Sequence, residues 1–130
     1  MEDQADLKSP QTWLELAQVK LNHAQQIFEI DLFDDTVSRA YYAMFYAAKA
    51  ALLSKGVVLR RHSASVAKFR ELFVVTGRVD SEYLHYLGQA QSARERSDYA
   101  PFAPVTRAGA KEILKAAEAF IAKVKEILAE

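Results

Sequence analysis

Two short stretches carry side chains that could do chemistry. The first is Arg94-Glu95-Arg96-Ser97-Asp98-Tyr99. Arg94 follows Leu87 and Ala90 at helical spacing, so it extends the face those two residues share. A guanidinium on a packed face needs an anion, and its planar fork matches a carboxylate or a phosphate. Asp98, one turn on, offers a local carboxylate, which gives the reading of a structural ion pair. The other reading is a phosphate clamp in a cleft. Tyr99 closes the stretch just ahead of Pro101 and Pro104. A phenol with a pKa of about 10 is neutral at pH 7, so Tyr99 suits hydrogen bonding, base stacking or core packing rather than proton transfer. The second stretch is Arg60-Arg61-His62. Cationic groups beside a helix start can attract phosphate, whereas the plainer reading is a solvated loop.

The rest of the inventory narrows the chemistry. His23 and His85 each stand alone on an expected helix, without a partner at the spacing of a helical metal site. No metal and no cofactor are expected. There is no Gly-rich phosphate loop, no Ser-His-Asp set and no pair of carboxylates at glycosidase spacing. The absence of cysteine excludes disulfide and thiol chemistry and fits a cytoplasmic setting. With 17 basic and 17 acidic residues the formal net charge is zero. Any contact with nucleic acid must therefore come from a local patch. Met1 to Ser9 is polar, and no apolar run approaches the roughly 20 residues that span a bilayer, so no membrane association is expected.

These side chains must be held by helices. Ser38 to Leu53 contains no Gly or Pro and is crowded with Ala and aromatics. Val37, Ala40, Tyr41, Met44, Phe45, Ala48, Ala51 and Leu52 recur at helical spacing, and the apolar stripe is wide. Such a helix is expected at the centre of a bundle, with its alanines admitting close neighbours. Tyr41, Tyr42 and Tyr46 are expected in core or dimer packing. Asp34 or Asp35 is expected to cap this helix, which runs to about Lys55, with Gly56 just beyond. Residues 1–8 are expected to be a flexible lead-in. Ser9 and Pro10 start a first helix that ends near Ile30. A third helix covers Ser63 to Thr76 and a fourth Ser81 to Asp98. Thr106 caps a last one whose stripe runs from Ala110 to Leu128. Residues 9–130 then form one all-α domain, an up-and-down four-helix bundle with an extra short helix. Its spare aromatic surface suggests a homodimer.

The chain resembles the HEPN superfamily, and within it the small single-domain members found beside minimal nucleotidyltransferases. The resemblance rests on Ser-Arg-Ala-Tyr-Tyr-Ala-Met-Phe at 38–45, Ala-Lys-Ala-Ala-Leu-Leu at 48–53 and His62. Phe69, Phe73 and Thr76-Gly77 follow, then Arg94 to Tyr99 and Ala116-Ala117-Glu118-Ala119-Phe120. It implies a homodimeric helical bundle, a toxin-like role, a nucleotidyltransferase partner and RNA or nucleotide as ligand. It also implies metal-independent endoribonuclease activity from an Arg followed four to six residues later by His. Arg94 matches the Arg, but no histidine follows Arg94 or Arg96. Arg94, Asp98, Tyr99 and His62 are the expected phosphate-binding set, with Arg94 facing the transition-state charge if the chain is catalytic. A non-catalytic nucleotide-binding module and a purely structural dimerising bundle stand as alternatives.

Overall fold

The central helix forms where alanine lets other helices come close. In the computed structural model, which describes residues 9–99 and 105–130 but not the side chains of 96–99, five α-helices share one hydrophobic core. They are α1 (Pro10–Glu29), α2 (Phe33–Leu53), α3 (His62–Phe69), α4 (Glu82–Tyr99) and α5 (Arg107–Ala129). The lead-in expected over residues 1–8 lies outside the described residues.

Helix α2 packs against each of the other four. Its buried residues include Ala40, Ala43, Ala47, Ala48, Ala50 and Ala51, which lie on more than one side of the cylinder. Small side chains there allow short interaxial distances, while Val37, Met44 and Leu52 fill the gaps between them. Antiparallel pairing of α1 with α2 shows in their ring contacts. Trp13, near the start of α1, meets Tyr46, and Phe28, near its end, meets Phe33. Gln25 to Glu118 and Lys125 to Gln18 hydrogen bonds run the same way between α1 and α5.

The helix ends follow local chemistry. The Ser9 hydroxyl accepts from the Thr12 amide at 3.1 Å, with Pro10 at the first helical position. The Thr106 hydroxyl accepts from the Gly109 amide at 3.0 Å. Gly56 takes φ of 76° after α2, a conformation that costs glycine little. At the front of α2 the expected cap is not made. The helix starts at Phe33, and Leu32 sits at the cap position without a side-chain bond. Asp34 instead accepts from the amide of Val105, pinning the entry to α5 against the start of α2.

Two further expectations change. The third helix, read as continuous over 63–76, is α3 followed by a π-helical turn at Arg70–Val74, where the Val75 amide reaches the Arg70 carbonyl at 2.9 Å. That turn keeps both Phe69 and Phe73 buried, with their rings 4.9 Å apart. Phe45, read as part of the core stripe, is half-buried at the edge of α2.

Candidate functional site

Tyr41 is where the site is built. It lies on the buried side of α2, 4% exposed, one residue before the half-buried Tyr42. The hydroxyl of Tyr41 and Nδ1 of His62 are 2.7 Å apart. The His62 ring stacks on Tyr41 and on Phe45, each at 5.5 Å between centroids. From α4, Arg94 lays its guanidinium carbon 5.3 Å from the Tyr41 ring centre and 5.1 Å from that of Tyr42. Both distances fall within cation–π range. Three helices therefore meet through one tyrosine.

Local sequence explains each position. Tyr41 and Tyr42 are adjacent on a helix, so their rings diverge and meet edge-on, 5.1 Å apart, leaving two faces for a cation. His62 is the first residue of α3, with Arg61 in extended conformation before it. The chain turns into the helix there, and the imidazole is carried back against α2. Arg94 follows buried Leu87, Ala90 and Ala93 along α4 and comes out half-buried at the margin of that face. Arg60 and Arg61 are exposed on the approach to His62.

The electrostatics follow from burial and from two charges on α4. Burial pushes the Tyr41 hydroxyl above the usual phenol range, and Arg94 pulls the other way. His62 is held below the ordinary imidazole range by burial, with Glu95 opposing. At neutral pH the pair is a neutral phenol bonded to a neutral imidazole. The buried tyrosine is thus in contact with an imidazole and with a guanidinium, groups whose chemistry suits anion binding and proton exchange.

Of the residues singled out from sequence, His62 and Arg94 come together on Tyr41. The side chains of Asp98 and Tyr99 lie outside the described residues. His23 and His85 are exposed, on α1 and α4, and no group of three metal-ligating side chains occurs among the described residues. No helix among the described residues is long and apolar enough to cross a membrane. Sequence spacing placed Tyr41 and Tyr42 in packing and gave no reason to join them to Arg94. Glu95 was passed over because a single exposed carboxylate beside an arginine is common.

A helical bundle organised around an alanine-rich central helix, with an arginine laid over its tyrosines, is the class these features define. A model of the HEPN domain matches residues 10–127, and the chain belongs to the HEPN family. A candidate toxin of Methanocaldococcus jannaschii, MJ0605, is 34% identical over 120 residues, which cover 92% of this chain and 89% of that protein. A UPF0332 protein of Archaeoglobus fulgidus is 37% identical over 109 residues, covering 84% of this chain and 86% of its own length. The crystal structure of TT1696 from Thermus thermophilus matches with a TM-score of 0.77, over 91% of this chain and 97% of that one. At 23% identity that is a likeness of fold.

Proposed function

We propose that this HEPN protein is the toxin-like member of a two-protein system and binds RNA or a nucleotide through Arg94. The observation that carries the reading is the Arg94 guanidinium lying over Tyr41 and Tyr42. The two rings bring aromatic surface to the cation, and a guanidinium's planar fork of donors matches the geometry of a phosphate. Half-buried Tyr42 lies beside it, and half-buried Phe45 and Tyr46 continue the aromatic run along α2, with faces on which a base can stack. Lys49 adds a second cation, 4.7 Å from the Trp13 ring centre and 5.6 Å from that of Phe45. The toxin-like role is supported by the relative in Methanocaldococcus jannaschii. The rest of the reading is a homodimer whose cleft includes the Arg94 end of α4, acting beside a minimal nucleotidyltransferase.

The test is fluorescence anisotropy of a labelled single-stranded RNA with the parent and with Arg94→Ala. Binding that weakens at least tenfold in the variant, with an unchanged helical circular dichroism spectrum, supports the reading. Equal binding by the two proteins, or unfolding of the variant, makes Arg94 a packing residue.

A further inference from the structure

We infer that the connection from α2 to α3 is a docking edge for an extended, acidic peptide segment of a partner protein. It is built from groups that take no part in the contact of Arg94 with Tyr41 and Tyr42. Residues 57–60 belong to no helix or turn. Val57 and Leu59 are half-buried while Val58 and Arg60 are exposed, the period of two that an extended chain shows. The Val57 amide reaches back to the Leu52 carbonyl at 3.0 Å. Beyond it, the amides and carbonyls of Val58 and Leu59 make no hydrogen bond among the described residues. An extended stretch with unpaired main-chain groups is a template for another strand.

A cleft beside this stretch fixes what the added strand carries. Trp13 of α1, Lys49 and Leu53 of α2, and Val57, Val58 and Leu59 of the connection line it. Its volume is about 10 Å³, room for one methyl-sized group and too little for a nucleobase. Val58 stands at its lip, 50% exposed, while the rest of the apolar wall is buried or half-buried. Successive side chains of an added strand point to opposite faces. One set turns to the cleft, and the next to the row that holds Arg60.

Charge selects the rest. No Asp or Glu occurs between Asp35 and Glu71, although the formal net charge of the chain is zero. Lys49 rests its Nζ 4.7 Å from the Trp13 ring centre, and no carboxylate pairs with it among the described residues. Lys55 precedes the stretch and Arg60 and Arg61 end it, all three exposed. Such a run of cations favours carboxylates on the partner. A strand that alternates a small aliphatic residue with an acidic one matches the cleft and the charge together. Nucleic acid would meet the same cations, but it brings no main-chain edge to pair with Val58 and Leu59.

The experiment is fluorescence anisotropy of the full chain with a labelled short peptide of alternating glutamate and valine. The parent is expected to bind it, and to bind the counterpart with lysine in place of glutamate at least about tenfold more weakly. Methylating the main-chain nitrogens of the glutamate peptide should abolish binding, since a strand edge needs those donors. Val58→Glu sets a carboxylate at the lip of the cleft without touching the core. It should weaken the glutamate peptide at least about tenfold and leave binding of a labelled single-stranded RNA within about twofold of the parent. No peptide binding at millimolar concentration, or equal binding of the lysine or methylated peptide, would overturn the docking edge. These comparisons need no variant and decide the matter even if Val58→Glu does not fold. Equal peptide binding by a folded Val58→Glu would overturn it too. Parallel loss of RNA and peptide in that variant would make the stretch an RNA surface instead. A dimeric parent and a monomeric Val58→Glu in sedimentation would make it a contact between copies of this chain. Failure of the parent to bind RNA counts against the Arg94 site alone.

Discussion

The hydroxyl of Tyr41 lies 2.7 Å from Nδ1 of His62, and this contact ties the middle of the central helix to the first residue of α3. Twenty-one residues of chain separate the two, including the loop that carries Gly56. Removing the hydroxyl strands a half-buried ring nitrogen. Tyr41→Phe should therefore lower stability by about 1–2 kcal/mol in urea unfolding, the range for a lost hydrogen bond whose partner stays behind. An unchanged urea midpoint would mean that the contact contributes nothing to holding α3 in place.

The pH dependence of stability has a definite sign. His62 is held below 6.5 in the folded protein, so between its folded and unfolded values the unfolded chain binds the extra proton. Its contribution is complete above pH 6.5 and is lost as pH falls through that value toward the folded pKa. Urea midpoints measured from pH 7.5 down to 5 should fall less in His62→Gln than in the parent. Parallel curves over that range would show that the imidazole is not desolvated.

Core and edge aromatics should separate clearly. Phe120 is 1% exposed and its ring centre lies 5.6 Å from that of Phe69. Phe120→Ala should cost about 3–5 kcal/mol, as large-to-small changes in a packed core do. Phe45 is only half-buried, so Phe45→Ala should cost less than that range. Equal losses in the two variants would place Phe45 in the core after all.

That contrast shows what the sequence could tell. The alanine-rich stretch from Ser38 to Leu53 marked the central helix because its composition differs from any surface helix. Ser9 and Thr106 announced helix starts through chemistry that acts over three residues. Phe45 was misplaced because a stripe this wide does not say which of its margins faces solvent. Asp34 was misread as a cap because its partner, Val105, is 71 residues away. The meeting of Tyr41, His62 and Arg94 is of the same kind. It depends on how three helices pack, and no spacing within the chain encodes it.

Ser65 gives a prediction of the opposite sign. Its side-chain oxygen is buried and has no hydrogen-bond partner among the described residues. A hydroxyl desolvated in this way opposes folding. Ser65→Ala should leave stability unchanged or raise it, by up to about 1 kcal/mol, in thermal or urea unfolding. A clear loss would mean that the hydroxyl has a bonded partner in solution, such as an ordered water.

The central claim is that ligand binds at the cluster of Arg94, Tyr41 and His62. The most direct test is a titration of isotope-labelled protein with a short single-stranded RNA, followed by amide and side-chain NMR shifts. The account predicts saturating shifts at Tyr41, Tyr42, His62, Arg94 and Glu95, weakening as salt is raised. Shifts confined to the face where Gln18 of α1 meets Lys125 of α5, or no shifts at all at millimolar RNA, would contradict it.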